Sequence, residues 1–326
     1  MTSSPKLTRR AALAAGVALP FAAATAGRPG AAFAGGHGAM TPNANKYSFK
    51  LGDFEVSTLL VGTRTVEEPQ KTFGMNVSSE EFAAVSEENF IPADKTQFFF
   101  TPTVVNTGEQ VVLFDAGLNA AGTAAALEAA GLTTDDVDTV VITHMHGDHI
   151  GGLTGDDGSL TFANASYVTG QVEFDTTALA GNETFDAKVR PLADKMTFIG
   201  DGDAVASGIT GMAAFGHSPG HMIYMLESAG RQLLIAADTA NHYVWSLAYP
   251  DWEVRFDRDK AAAAETRRKV FGMLAADRVA FIGSHMPFPG VGYVETRDEG
   301  FRYVPHSYQK LLQSSAVCAK RGESRG

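Results

Sequence analysis

THMHGDHIGG, residues 143–152, places three histidines and one aspartate within six positions. The apolar run VVIT leads into this stretch and predicts a buried strand that ends at the cluster. Side chains two positions apart on an extended chain point to the same side, so His144 and His146 can face one centre. Asp148 and His149 follow at once, and two glycines then allow a tight turn. A lone histidine would fit a polar surface loop, but this density of ligands predicts a metal site.

Three later segments supply further metal-binding residues, each where a predicted strand gives way to a loop. His217 lies in GHSPGH, Asp238 follows LLIAA, and His285 follows VAFIGS. Side chains at such positions can converge from distant parts of the chain. Together with the first cluster they make five imidazoles and two carboxylates. That set suits two divalent ions when a bridging carboxylate and water complete the ligand shells.

Apolar runs and turn residues predict the secondary structure around these segments. Residues 47–60 predict a strand pair turning at Gly52 and Asp53, and residues 103–115 predict a hairpin. Residues 64–97 are acidic and lack a clean period, so we interpret them as an excursion that covers another part of the protein. Helices are expected over 123–130 and 259–276, and further strands over 137–143, 166–169, 196–199, 211–215, 222–227, 232–236 and 279–285. This order predicts an α/β fold, an αββα sandwich of two mixed sheets flanked by helices.

The first 34 residues predict an export signal of the twin-arginine type. Arg9 and Arg10 precede an alanine-rich apolar stretch, and Ala32-Phe33-Ala34 offers a cleavage site. The stretch is too weak for a spanning helix, so a membrane-anchored form is the alternative, and a second A-x-A at 24–26 leaves the cleavage position open. We expect a signal over residues 1–34 and a single domain over residues 35–326. We expect a disordered tail from about residue 316 and a periplasmic or secreted protein.

A change in the arginine pair tests the export prediction. Replacing Arg9 and Arg10 by lysine is expected to leave the protein in the cytoplasm and still active, because this route carries proteins that have already folded. Cell fractionation followed by an activity assay measures both properties. Unchanged delivery to the periplasm would show that the segment is not a twin-arginine signal.

The charge balance and the cysteine content exclude some partners. The chain has 26 basic and 37 acidic residues; loss of residues 1–34 removes four basic residues and leaves 22 against 37, a net charge of −15. Such a chain repels polyanions, so we expect no nucleic acid partner. Cys318 is the single cysteine, so the domain has no internal disulfide and depends on packing, to which bound metal can add.

The motifs HMHGDH, GHSPGH, AADT and GSHMP occur in the order and spacing that resemble the metallo-beta-lactamase fold superfamily. The resemblance spans about residues 47–310. It implies two divalent ions per chain, expected to be zinc, with manganese, cobalt or iron as alternatives. It implies that one ion is bound by His144, His146 and His217, the other by Asp148, His149 and His285, with Asp238 bridging.

Two further residues are expected to support the ligands. Asp115 in FDAG matches the acid that orients a ligand histidine in this family, although an acid that simply ends a hairpin would look the same. His221 is interpreted as a residue that supports a ligand, with a satisfied histidine in a turn as the alternative.

Departures from other members narrow the choice within the superfamily. His146 stands where flavodiiron proteins have a glutamate, and Asp238 is present where class B beta-lactamases lack the bridging aspartate. About forty residues follow His285, too few for the C-terminal domain of glyoxalase II. LGDFEVSTL, THMHGDHIGGL and HMPFPGVGYVETRDEGFRYVPHSY are similar to methyl parathion hydrolase and the related metal-dependent lactonases and arylesterases. The short segment after Asp115 lacks the aromatic lid residue of the parathion enzymes, which favours lactone or ester hydrolysis.

The resemblance implies a hydroxide that bridges two ions and attacks a neutral, largely apolar ester or lactone, held in line by the catalytic residues Asp148 or Asp238. The alternatives are an organophosphate triesterase, a metal-binding scaffold without turnover and an iron oxidoreductase. We expect a small neutral substrate, no membrane contact after signal removal and, as a protein partner, a second copy in a homodimer. Aromatic residues are the candidates for the pocket walls: Phe98, Phe99, Phe100, Phe174, Phe185, Tyr243, Trp245 and Phe288.

Overall fold

The structure is a computed structural model that describes residues 45–307. This range contains sixteen strands: β1 (Lys46–Leu51), β2 (Phe54–Leu59), β3 (Gly62–Glu67), β4 (Lys95–Phe100), β5 (Thr103–Asn106), β6 (Val111–Phe114), β7 (Thr139–Ile142), β8 (Ser166–Gly170), β9 (Met196–Ile199), β10 (Ala204–Ala206), β11 (Ile209–Ala213), β12 (Met222–Ser228), β13 (Arg231–Ala237), β14 (Ala280–Gly283), β15 (Val291–Arg297) and β16 (Gly300–Pro305). Its α-helices are α1 (Ser79–Glu88), α2 (Ala120–Ala129), α3 (Gly147–Ile150), α4 (Gln171–Leu179), α5 (Glu183–Lys188) and α6 (Lys260–Asp277). The predicted export signal and the predicted disordered tail lie outside the described residues.

Two seven-stranded sheets form the centre of the fold. The first has the order β1-β2-β5-β6-β7-β8-β9 and the second the order β10-β11-β12-β13-β14-β15-β16. Strands β6 to β9 pair in parallel, and the other pairs of that sheet are antiparallel. In the second sheet only β13 and β14 pair in parallel. Both sheets are therefore mixed.

Apolar side chains pack on both faces of each sheet. Val56 and Phe114 of the first sheet meet Tyr224 and Ile282 of the second in one buried cluster. A second cluster joins the outer face of the first sheet to α2 and α5, and a third joins the outer face of the second sheet to α6. Burial of a side chain such as Phe271 of α6 contributes about 1.5–3 kcal/mol. These four layers confirm the predicted αββα sandwich.

Residues 64–97 form structure that the sequence did not predict in detail. Strands β3 and β4 make a separate antiparallel pair, with Arg64 opposite Phe98, and α1 lies between them in the chain. Ser78 caps α1 by accepting a hydrogen bond from the backbone N–H of Glu81. Phe82 of α1 packs on Trp245, so this excursion joins a buried aromatic cluster.

No helix within residues 45–307 combines the length and the apolar character that a membrane span requires.

Candidate metal centre

The histidine cluster begins where β7 ends. All four residues of β7 are buried, as expected for a strand in the parallel part of a sheet covered on both faces. His144 follows in the buried loop, and His146 caps α3 with an extended backbone. The Nε2 atom of His144 lies 2.9 Å from Nδ1 of His146, so the two rings do face one centre.

Gly151 and Gly152 after the cluster are required by close packing and not by the predicted tight turn. Neither Gly151 nor Gly152 has a positive φ, so the backbone conformation does not require glycine. A Cβ atom on Gly151 would instead overlap the carbonyl oxygen of Leu118, and one on Gly152 would overlap that of Ala116. The two glycines therefore allow the loop after β6 to approach α3 closely, which brings Asp115 next to His149.

The seven predicted ligands lie together in two groups. His144, His146, His217 and Asp238 form one group, and Asp148, His149 and His285 form the other. Within each group the candidate ligand atoms all lie within 4.8 Å of one another. Asp238 also reaches the second group, because its Oδ2 lies 3.1 Å from Nε2 of His285 and its Oδ1 lies 3.3 Å from Nε2 of His149.

Asp115 orients His149 from outside the centre. Its Oδ2 lies 2.8 Å from Nδ1 of His149, and because a carboxylate can only accept, the ring donates its Nδ1–H. The same carboxylate accepts the backbone N–H and the hydroxyl of Thr143. This arrangement fixes the tautomer of His149 and leaves the lone pair of Nε2 directed at the centre.

His217 is oriented by a residue that the sequence analysis missed. Its Nδ1 lies 2.9 Å from Oδ1 of Asp257, and Nη1 of Arg267 donates to the other oxygen of that carboxylate at 2.7 Å. Asp257 and Arg267 are 2% and 1% exposed, so this ion pair is buried. Asp257 therefore resembles Asp115 in its effect: it holds a ligand ring with Nε2 facing inward.

His221 holds the bridging candidate Asp238 rather than a metal ligand ring. Its Nδ1 donates to the carbonyl of Ala214 at 3.1 Å, and its Nε2 accepts the backbone N–H of Asp238 at 3.2 Å. Burial lowers the pKa of His221 to about 3, and the neighbouring His217 acts in the same direction. The ring therefore stays neutral, as an acceptor at Nε2 requires. Ala237, directly before Asp238, has a φ of 44°, in the left-handed region that residues other than glycine seldom adopt.

Glu173 of α4 connects the two loops that carry the first group of ligands. Its Oε1 accepts the backbone N–H of Met145, between His144 and His146. Its Oε2 accepts the hydroxyl of Ser218 and the backbone N–H of Gly220. This buried carboxylate was not among the predicted site residues, because nothing near it in the sequence marks it.

The candidate ligand atoms suit bound cations, because two of them are buried without a hydrogen-bond partner in the described part of the chain. Nε2 of His149 and Oδ1 of Asp238 are buried and have no hydrogen-bond partner among the described residues. Burial alone would lower the pKa of His285, but the carboxylates of Asp238 and Asp148 raise it to about 10. The carboxylates of Asp238, Asp115 and Asp148 likewise raise the pKa of His149 well above its usual range, against the effect of burial. The centre thus attracts positive charge, and metal binding would displace those protons.

A cavity of about 620 Å³ opens onto this centre. Its floor includes the candidate ligands His146, Asp148, Asp238 and His285. Val66 of β3, Phe98 and Phe100 of β4, and Leu118 and Phe256 form its apolar walls. This volume is typical of sites for small organic ligands. The excursion over residues 64–97 therefore covers the candidate centre.

The aromatic residues predicted for the walls lie in several places. Phe100 lines the cavity, and its ring meets the edge of the His285 ring at 5.5 Å. Tyr243 lines a second cavity of about 420 Å³, on the side of β3 and β4 that carries Phe99. Phe185 of α5 is fully buried in the core, Phe174 of α4 packs against the same core, and neither lines the cavity. Phe288 is half-buried and lines neither cavity.

Residues 101–283 match the sequence profile described as the Metallo-beta-lactamase superfamily, which is more than half of the chain. The chain therefore belongs to the metallo-beta-lactamase superfamily. Among curated proteins, 57 residues are 37% identical to the anti-Pycsar protein Apyc1 of Paenibacillus sp. (strain J14). That match covers 18% of this chain and 22% of Apyc1.

Solved structures extend the similarity over most of the chain. AidC, a dizinc quorum-quenching lactonase in complex with a product, is 25% identical with a TM-score of 0.74, over 81% of this chain and 98% of that one. The hydrolase AbOPH is 24% identical with a TM-score of 0.74, over 81% and 98%. A probable metal-dependent hydrolase from Staphylococcus aureus is 22% identical with a TM-score of 0.68, over 79% and 99%. The latter two similarities show the fold.

Proposed function

We propose that the protein is a dinuclear metal-dependent hydrolase that cleaves esters or lactones whose reacting group is uncharged. One observation carries the proposal: five imidazoles and two carboxylates converge at the floor of a cavity, with two orphaned polar atoms facing the centre. The similarity to AidC, a dizinc lactonase, supports two ions and this class of substrate. Zinc is the expected ion.

Different residues of the chain would bind the metal ions, contact the substrate and orient the ligand rings. Two divalent ions bound by the seven ligands would supply a nucleophilic hydroxide at neutral pH and polarise the carbonyl oxygen of the substrate. Asp238, whose Oδ2 lies 3.4 Å from Nε2 of His217 and 3.1 Å from Nε2 of His285, would hold the two halves of the centre together. Asp148 is 24% exposed at its side chain and lines the cavity, so it can contact both the centre and a bound substrate. Asp115 and Asp257 would keep the ligand rings in the binding tautomer.

A panel of substrates tests the proposal. Purified, metal-replete protein is expected to hydrolyse lactones and aryl esters with a higher kcat/KM than phosphotriesters, since the short segment after Asp115 lacks the aromatic lid residue of the parathion enzymes. The panel consists of dihydrocoumarin, an aliphatic lactone, an aryl ester and a phosphotriester. A preference for the phosphotriester would favour the organophosphate alternative. Loss of all turnover in protein that retains its metal would favour the non-hydrolytic alternatives.

The wall residue Phe100 gives a further prediction. Phe100→Ala is expected to lower kcat/KM for aryl esters by a factor that corresponds to about 1–3 kcal/mol of transition-state stabilisation. The loss should be smaller for small aliphatic lactones, because an apolar wall contributes in proportion to the contact that it makes with the substrate. Steady-state kinetics on both substrates measures the difference. The metal content of the variant shows whether its neighbour His285 still binds metal. Phe288→Ala is the matched control and should change neither value, because Phe288 lies outside the cavity. Equal losses in the two variants would contradict the assigned wall.

A further inference from the structure

Two arginines line the cavity that opens onto the metal centre. Arg64 belongs to β3, and Arg255 lies in the segment between Asp238 and α6. Both are exposed, whereas Asp238 and His285 at the floor are buried, so the arginines lie at the outer rim. Besides the aromatic and aliphatic side chains of its walls, the cavity therefore carries two permanent cations.

Both arginines neighbour the aromatic residues that lead to the metal centre. The guanidinium carbon of Arg255 lies 5.0 Å from the centre of the Phe256 ring, which lies 6.2 Å from the Phe98 ring. Phe98 in turn lies 5.5 Å from the ring of the candidate ligand His285. Arg64 pairs with Phe98 across the two strands of the β3–β4 sheet. Both arginines thus lie beside the same aromatic wall, whose Phe98 ring contacts the candidate ligand His285.

Arg64 and Arg255 have no anionic partner among the described residues. Five described arginines form ion pairs with carboxylates: Arg190, Arg267, Arg268, Arg297 and Arg302. Within residues 45–307, the side chains of Arg64 and Arg255 form neither an ion pair nor a hydrogen bond. The chain as a whole carries a formal charge of −11, so acids to pair with them are abundant. Two unpaired cations at one rim can therefore bind an anion from outside the protein.

We propose that Arg64 and Arg255 form a site for an anionic group, so that the preferred substrate is an ester or lactone with a carboxylate or similar anion remote from the reacting carbonyl. This inference rests on the proposed function and refines the neutral substrate expected from the sequence: the reacting group is neutral, and the far end is charged. Two divalent ions at the floor would outweigh the carboxylates of Asp148 and Asp238, so the cavity would not repel such a substrate.

A pair of matched substrates tests the proposal. The compounds are 4-nitrophenyl hexanoate and the mono-4-nitrophenyl ester of adipic acid, which share chain length and leaving group and differ in a terminal methyl or carboxylate. We expect kcat/KM to favour the acid by about tenfold or more at low ionic strength, and less in about 0.5 M salt. Arg64→Gln and Arg255→Gln should each lower this preference by up to about tenfold.

A matched control and a binding measurement complete the test. Arg231→Gln removes an exposed, unpaired arginine that lines a different cleft, so it should leave the preference unchanged. Calorimetry on the metal-loaded protein should show that 1-hexanesulfonate binds more tightly than 1-hexanol, and that either cavity variant weakens the sulfonate about tenfold. Sulfonate binding that weakens in both arginine variants, without hydrolysis of either ester, would refute the proposed function and support the anion site. Hydrolysis with equal preference in all variants would overturn the anion site and keep the function.

Discussion

Asp238→Ala is expected to reduce turnover by about 10³-fold or more on every substrate alike. Asp238 approaches both groups of ligands, with its Oδ2 3.4 Å from Nε2 of His217 and 3.1 Å from Nε2 of His285. Its removal should weaken the second ion and leave the nucleophile without a fixed position. The expected metal content is therefore one ion per chain instead of two. Kinetics on a lactone, an aryl ester and a phosphotriester, with elemental analysis, measures both effects.

Asp175→Ala is the matched control for the loss of a carboxylate. Asp175 lies exposed on α4, away from the ligand atoms, and its removal should change neither turnover nor metal content. Circular dichroism and thermal unfolding show whether the Asp238 variant remains folded. Near-normal turnover in folded Asp238→Ala protein would contradict the two-metal account.

Asp257→Ala is expected to lower the free energy of unfolding of the metal-free protein by about 3–5 kcal/mol, because it leaves the Arg267 guanidinium buried without a counter-charge. It should also weaken metal binding by about 10–100-fold, because His217 loses the acceptor of its Nδ1–H. Urea unfolding of metal-free protein measures the first effect, and metal titration measures the second.

Two further variants separate the causes of these losses. Asp251→Ala removes an ion pair with Arg268 that is largely exposed, so it should cost less than about 1 kcal/mol. The double change of Asp257→Ala with Arg267→Met removes both buried charges and should recover part of the stability, but not the metal affinity. Full recovery of metal affinity in the double variant would contradict the orienting role of Asp257.

The sandwich could be predicted where the sequence carries strong apolar patterns. The buried run of β7, the strand pair β1–β2 and the long helix α6 all lie within a few residues of their predicted bounds. Helix α4 was missed because its single buried residue is a glutamate, so it shows no apolar stripe. The β3–β4 pair was missed because β3 has no buried residue and therefore no hydrophobic alternation.

The candidate ligands could be predicted because they are dense in HMHGDH or follow apolar strands directly. Asp257 offered no such signal, since its partner His217 lies forty positions away and Asp257 itself lies in the irregular stretch between β13 and α6. Glu173 was hidden for the same reason, as its hydrogen bonds reach loops on either side of it in the sequence. Phe185, expected in a cavity wall, lies in the core instead, because a large apolar side chain suits either place equally well.

Metal titration of the metal-free protein, followed by elemental analysis and an ester-hydrolysis assay, shows whether hydrolysis depends on two bound ions. Zinc is expected to bind to a limit of two ions per chain, and activity is expected to appear mainly as the second ion binds. Full activity with one ion, or a limit of one ion or none in correctly folded protein, would contradict the two-metal account.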